Sequence, residues 1–409
     1  MKNPLKHFPL LLVVLGPGLV VMLADTDAGS LITAAQSGAV IGYRMLLLQL
    51  ILIPILFIAQ ELTVRLGIVT QQGHGELIKS HFGRWWAWLS VSTLLISCAG
   101  AIVTEFSGVA GVGHLFGVPT WLSMVVVILF LLFMAITGSY HSVERCAILI
   151  GLFEVVFIVV ACLAHPHYHE AWKTMWSIPW LNGQYWYLAA ATVGAVIMPW
   201  MIFYQQSAVV DKKLQLKHLK AARIDTAVGA IITQIIMASM VIITAATIGK
   251  ENPGAPLNTV EQISSTLVPF LGTTVGEGLF ALGMLGASLV AAIVVSLTAA
   301  WGLGEVMGYK RSLEHGPREA PAFYGVYALI LILGGALVTS GVINLISLTV
   351  AIEVMNAILL PIVLGFLYLL ALKALPEPYR LKGNYAVFIG IVLGITALFG
   401  LVAGIWSSI

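Results

Sequence analysis

Apolar stretches of about 20 residues, long enough to cross the hydrocarbon core of a bilayer, recur from one end of this chain to the other with short polar segments between them. Taken in order they predict eleven membrane-spanning helices, at about 8–40, 43–67, 86–112, 119–138, 146–164, 186–210, 225–248, 274–306, 322–339, 341–371 and 385–406. Two of the eleven are interrupted in their middles. The first runs Gly16-Pro17-Gly18, stays apolar to Ala24, then reads Asp25-Thr26-Asp27-Ala28-Gly29-Ser30 before a second helical stretch opens at Leu31. The sixth is apolar from Ala189 to Ile197, breaks at Met198-Pro199 and continues from Trp200 to Gln205-Gln206-Ser207.

Proline has no N–H and collides with the preceding turn, so Pro199 frees backbone carbonyls near Ala195. Asp27 and Ser30 compete with the backbone for hydrogen bonds and Gly29 is permissive, which makes the other run a poor helix interior. In lipid, freed backbone groups persist only where they face a protein-lined cavity. Broken helices five spans apart therefore point to an inverted-repeat transporter with its site at the midplane. The alternative is a pair of kinked structural helices.

Composition agrees. With 59% hydrophobic and only 9% charged residues, against about 25% charged in a soluble domain, residues 1–409 are expected to form one membrane domain with nothing soluble attached. Lys and Arg resist translocation and stay in cytoplasmic loops. With the N-terminus cytoplasmic, only Arg44, Lys173 and Lys250 of the 20 Lys and Arg fall in outside segments, and one missed span would invert every later loop. The expectation is an inner (plasma) membrane protein, N-terminus inside and C-terminus outside. Those loops account for the net charge of +2, so no nucleic-acid partner is indicated. Cys98, Cys146 and Cys162 lie in or beside apolar spans without paired spacing, which indicates neither disulfides nor a thiolate cluster. The first span lacks a small-residue cleavage site and reads as a retained helix, not a signal peptide. There is no His-Glu-x-x-His, Gly-x-Ser-x-Gly or Walker-type loop; an enzyme lacks its motif, and transport would run on ion gradients.

The candidate chemistry sits at the breaks. An ionised side chain deep in a span costs about 2.5–3.5 kcal/mol on insertion scales, and the first span holds two, Asp25 and Asp27, without Lys or Arg to pair with them. A bound cation would neutralise them; protonation or pairing across helices is the alternative. Two residues apart on a regular helix, the two acids would point to different faces, so Asp25 is the less certain participant. Met198, with Ala195 one turn earlier, is by type a core filler, but it stands at the second break. A carboxylate, a hydroxyl, freed carbonyls and one thioether suit Mn²⁺ or Fe²⁺ better than Ca²⁺ or Mg²⁺. Glu105, Glu154 and Glu353 are further acids within spans, for an ion or proton path or for pairing with polar neighbours. His165, His167 and His169 crowd one loop, where a solvated loop is the simpler reading than a metal-gathering one.

Several ordered runs resemble a known family: Gly16-Pro17-Gly18, Asp27-Ala28-Gly29-Ser30, Ala34 to Ala39 and Gly42-Tyr43 in the first span, Arg65 to Thr70, Leu115 to Pro119, and Gly194 to Pro199. Together they are similar to the Nramp family of divalent metal transporters across essentially the whole chain. The resemblance implies an all-α, LeuT-type fold of two inverted five-helix repeats, about 8–164 and 186–371, with discontinuous first and sixth helices and an extra helix at about 385–406. It implies a metal bound by Asp27, Ser30 in place of the family's Asn, the Ala195 carbonyl and the Met198 sulfur. Asp25, Glu105 and Gln206 would stand behind these ligands or on an ion path.

The departures matter too. Ala28 replaces the family's proline, Trp200 and Gln206 stand where members carry histidines, and Ile102 replaces a common acid of the third span. The ligands are kept while groups linked to proton movement are lost. The leading expectation is a secondary carrier of Mn²⁺ or Fe²⁺ with proton coupling weak or absent, working as a monomer in the lipid bilayer without a cofactor. A Mg²⁺ carrier on the same scaffold is the alternative, with Asp25 mildly for it and Met198 against. An amino-acid carrier is disfavoured because two acids at the first break would repel a carboxylate.

Overall fold

In the computed structural model, residues 17–137, 140–164, 166, 168–341 and 344–407 are described. The expected start of the first span at 8–16, with Gly16, lies outside the described residues, as do Lys2, Lys6, His165 and His167. Every regular element among the described residues is a helix, and ten stretches are long and apolar enough to cross a membrane. One of them, Ala28–Thr70, has 43 residues. At 1.5 Å per residue that is about 64 Å, twice the roughly 30 Å of a hydrocarbon core. It divides at Gly42, whose φ of 73° stops the helix, and at the tight turn Gly42–Met45.

The first part, Ala28–Ile41, joins Pro17–Asp25 to make span 1, and the second, Leu46–Thr70, is span 2. Eleven spans result, as the hydropathy pattern predicts. Span 3 is Arg84–Leu115 and span 4 Thr120–Thr137; span 5 comprises Tyr140–Gly151 and Val155–Leu163 around a tight turn Leu152–Glu154. Span 6 comprises Gly183–Val196 and Pro199–Asp211, and span 7 is Leu219–Ala246. Spans 8 to 11 are Thr273–Met307, Pro321–Thr339, Leu345–Lys373 and Gly383–Ser407.

Loop contacts fix the parity of the crossings. At one end of the bundle Arg65 reaches the Tyr379 carbonyl at 3.2 Å, Gln71 the Leu214 carbonyl at 2.7 Å and Lys79 the Val306 carbonyl at 2.8 Å. At the other, Arg44 reaches Ser177 at 3.2 Å, and the Gln36 side chain accepts the Leu257 N–H at 2.8 Å. The loops that are rich in Lys and Arg thus share one end, and Arg44, which the count assigned to the other side, lies at the opposite one.

Span 6 is the interior element, with 89% of its apolar window buried, whereas span 4 has 22% and turns Val125, Val126, Leu129 and Phe133 outward. An outward apolar face of that kind belongs against lipid, where it costs nothing. Span 6 can lie so close to its neighbours because of Gly194, where a Cβ would collide with the Glu353 carbonyl and come within 2.8 Å of the Ala357 nitrogen of span 10. Small residues at such contacts let helix backbones approach in membranes.

Candidate metal site

The two breaks meet. Thr26 and Asp27 separate the halves of span 1, and Asp27 caps the second half. Its backbone is extended (φ −63°, ψ 173°) and its carboxylate accepts the Ser30 N–H at 2.6 Å, a short polar side chain satisfying an N–H that the first helical turn leaves unpaired. In span 6 the first half-helix ends at Ile197, Met198 is extended (φ −90°, ψ 143°), and Pro199 opens the second half. Pro199 offers no N–H to the Ala195 carbonyl four residues back. That oxygen instead accepts the Ser30 hydroxyl at 2.8 Å, so Ser30 ties one break to the other.

Asp27, Ser30, Ala195 and Met198 are fully buried, and Asp27 Oδ2 has no hydrogen-bond partner. The Met198 sulfur accepts the Trp200 indole N–H at 3.1 Å, which orients the thioether and occupies one of its lone pairs. Trp200, read from sequence only as a lost histidine, therefore acts directly on a candidate ligand. Glu105 accepts the Ala28 N–H at 3.1 Å and the Thr104 hydroxyl at 3.1 Å; it pins the peptide that follows Asp27.

Glu353 of span 10 comes closer to the break than sequence reading suggests. A Cβ on Gly29 would collide with Glu353 Oε1 and lie 3.2 Å from Thr104 Oγ1 and 3.3 Å from Asp27 Oδ1, so three oxygens gather on the bare face of this glycine. Asp25 is buried with both oxygens unpartnered, and Glu154 is buried beside Thr26. Five carboxyls thus surround the first break, and none is paired with Lys, Arg or His among the described residues. No group of three or more His, Cys, Asp or Glu side chains among the described residues is arranged to hold a metal ion by itself. A cation at the break needs the hydroxyl, carbonyl and thioether donors as well.

Gln206 does not join them. It lies eight residues beyond Met198 on the second half of span 6, about 12 Å along the helix, where it faces His74 Nδ1 at 2.9 Å and donates to the Gln72 carbonyl at 2.9 Å. It belongs to a polar clasp at the cation-rich end. There Glu305, near the end of span 8, accepts the Gly75 N–H at 2.7 Å and the Ser207 hydroxyl at 2.6 Å, and Arg311 pairs with Glu76 at 2.7 Å. Burial pushes the His74 pKa down to about 4 against the opposing hydrogen bond to Gln206. The short helix His74–Phe82 that carries this clasp is not apparent in the hydropathy pattern.

The profile of the Nramp family, described as natural resistance-associated macrophage protein-like, matches residues 18–406. Among curated proteins, the chain is 25% identical over 302 residues to a divalent metal cation transporter, MntH, of Bradyrhizobium diazoefficiens, covering 70% of this chain and 66% of that protein. The match to the MntH of Chromohalobacter salexigens is 25% over 297 residues, covering 69% and 68%. The chain thus spans about two thirds of the length of these curated relatives. A metal transporter of Oryza sativa subsp. japonica, Nramp5, is 32% identical over 227 residues, covering 52% of this chain and 40% of that protein. Among solved structures, a manganese transporter of Eremococcus coleocola superposes with a TM-score of 0.78 at 18% identity, covering 100% of this chain and 89% of that one. MhsT in complex with L-phenylalanine gives 0.63 at 12% identity, covering 97% and 98%. The fold is of the LeuT type.

Proposed function

Because this chain belongs to the Nramp family, we propose that it is a multi-pass secondary transporter of divalent metal cations, with Mn²⁺ or Fe²⁺ as cargo and with proton coupling weak or absent. The observation that carries the reading is the Ser30 hydroxyl on the Ala195 carbonyl at 2.8 Å. It brings the capping acid of one broken helix to the freed carbonyl of the other, where a LeuT-type carrier holds its substrate. Asp27 supplies the charge, Ser30 and Ala195 supply hard oxygens and Met198 a soft sulfur, a mixed set that suits a first-row transition metal.

The same reading assigns repeats at about 8–164 and 186–371, with 385–406 as an added helix, and a monomer in the plasma membrane with its cation-rich end and N-terminus in the cytoplasm. Alternating access follows from rocking one bundle against the other about the fixed breaks. Transport of Mg²⁺ is the second reading, favoured by the excess of carboxyls at the break and by the indole N–H already on the Met198 sulfur.

The test is metal uptake into proteoliposomes with a competing panel of ions. Uptake of Mn²⁺ that Cd²⁺ inhibits and excess Mg²⁺ spares, and that Asp27→Asn abolishes while the protein still expresses, is the expected result. Near-normal uptake by Asp27→Asn overturns the site, and uptake of Mg²⁺ in preference to Mn²⁺ selects the second reading.

A further inference from the structure

Three elements meet through aromatic rings at the cation-rich end of the bundle: the short helix His74–Phe82, the start of span 3 and the last turns of span 10. The Phe82 ring packs on Phe366 of span 10 with centroids 5.7 Å apart, and Phe366 packs on Trp86 of span 3 at 6.0 Å. Lys373, further along span 10, places its ammonium 5.2 Å from the Phe82 centroid, a cation held on the face of a ring. Arg84 lies between Phe82 and Trp86 in the chain, and Arg84, Trp85 and Trp86 are all exposed, Trp85 by 87%.

Neither Lys373 nor Arg84 has a carboxylate within ion-pair distance among the described residues. The acids nearest to them in the chain are engaged elsewhere. Glu377 faces Arg380 at 3.8 Å and Lys382 at 3.2 Å, and Glu76 pairs with Arg311 at 2.7 Å. From this patch toward the middle of the membrane the surface turns apolar, with Leu89 and Ile96 of span 3 and Leu369 of span 10 exposed. Tryptophan and basic side chains at the end of a span sit at headgroup level, where anionic lipid is the counter-ion within reach. A soluble anion would satisfy the charges and leave the apolar face unused.

We propose that Lys373 and Arg84, set on the rings of Phe82, Phe366 and Trp86, bind the headgroup of an anionic phospholipid in the leaflet at the cation-rich end, with its acyl chains along Leu89, Ile96 and Leu369. The site bears on the clasp described above. The helix that ends at Phe82 begins at His74, and His74 and Gly75 close this end on Gln206 and Glu305. A headgroup bound over Phe82 ties that helix to spans 3 and 10 and steadies the closed arrangement.

The test titrates the purified full-length chain with phosphatidylglycerol or phosphatidylcholine of the same acyl chains and counts bound lipid by native mass spectrometry. Phosphatidylglycerol is expected to bind at least about tenfold more tightly. A cation near an anionic membrane surface is worth about fivefold in affinity, so Lys373→Gln and Arg84→Gln should each weaken phosphatidylglycerol about fivefold, while Lys373→Arg retains it. Lys217→Gln, which removes an exposed cation from another loop of the same end, should change nothing. In nanodiscs, amide exchange over residues 74–82 should be slower in phosphatidylglycerol than in phosphatidylcholine, and Lys373→Gln should erase the difference. Equal affinity for the two lipids overturns the site. So does a loss in Lys217→Gln as large as in Lys373→Gln, which would make the attraction a diffuse one, or exchange over 74–82 that is indifferent to the lipid.

Discussion

A methyl group at position 29 would occupy the space that Glu353 Oε1 already fills, and would press on Thr104 and Asp27 as well. Overpacking a filled interior costs about 1–3 kcal/mol, and here the atoms that must yield are carboxylate oxygens at the break. Gly29→Ala is therefore expected to cut metal uptake at least about tenfold, a barrier change of roughly 1.4 kcal/mol, in protein that still reaches the membrane; uptake assays normalised to expression decide it. Met198→Ala removes the only thioether in the proposed ligand set. Binding of Cd²⁺ should weaken about tenfold, or 1.4 kcal/mol, while Mg²⁺ and Ca²⁺ begin to compete; calorimetric titration with unchanged selectivity would return Met198 to core packing. The placing of Asp27, Ser30, Ala195 and Met198 at or beside two helix breaks was legible from sequence, because faults in a helix are local. The parts played by Glu353, Glu154 and the Trp200 indole were not. Their meaning lies in contacts such as Glu353 with Gly29, made between residues far apart in the chain, and no local pattern announces them.

At the scale of elements, hydropathy located every span because each needs its own long apolar run, and it found both discontinuities because proline and capping residues act within a turn. It missed the short helix His74–Phe82, only four of whose nine residues are buried. That helix closes the cation-rich end through His74 on Gln206 and Gly75 on Glu305. His74 has a native pKa of about 4 against about 6.5 in an unfolded chain. The unfolded state thus takes up the proton first, so the stability present above pH 6.5 is lost as pH falls toward 4, by up to about 3 kcal/mol. Thermal unfolding of the detergent-solubilised chain should show a Tm that drops between pH 6.5 and 4.5, and His74→Gln should flatten that slope. Parallel slopes for the two proteins would deny the clasp its pH dependence. A second element-scale outcome concerns Gly194, whose missing side chain admits the backbone of span 10. Backbone atoms cannot step aside, so Gly194→Ala should abolish the monodisperse peak in size-exclusion chromatography, whereas Gly365→Ala, with open space around it, should not.

For the whole molecule, the question is what balances the charge carried through a bundle whose first break gathers five acids with no basic partner among the described residues. Proton coupling requires a group that changes protonation near neutral pH and connects the metal site to an aqueous end, and histidine is the usual one. Trp200 and Gln206, at the positions where members of the family carry histidines, do not titrate. His74, the described histidine nearest Gln206, is held neutral by its burial, with a pKa of about 4, so it relays no protons at pH 7. Glu105 is the strongest remaining carrier, yet one of its oxygens holds the Ala28 N–H at 3.1 Å, while the Thr104 hydroxyl beside the other donates at shorter range to the Ala101 carbonyl, at 2.8 Å. A residue that pins the break in place is poorly suited to shuttling a proton away from it. Metal transport here should therefore be weakly coupled to protons or uncoupled. Proteoliposomes loaded with a pH-sensitive dye, given Mn²⁺ outside at neutral pH, should take up metal with little internal acidification, and uptake should change little when an inward pH gradient is imposed. Acidification that follows Mn²⁺ entry in proportion, and disappears in Glu105→Gln, would show that the carboxyls at the break carry the protons themselves and that the loss of the span 6 histidines did not uncouple the carrier.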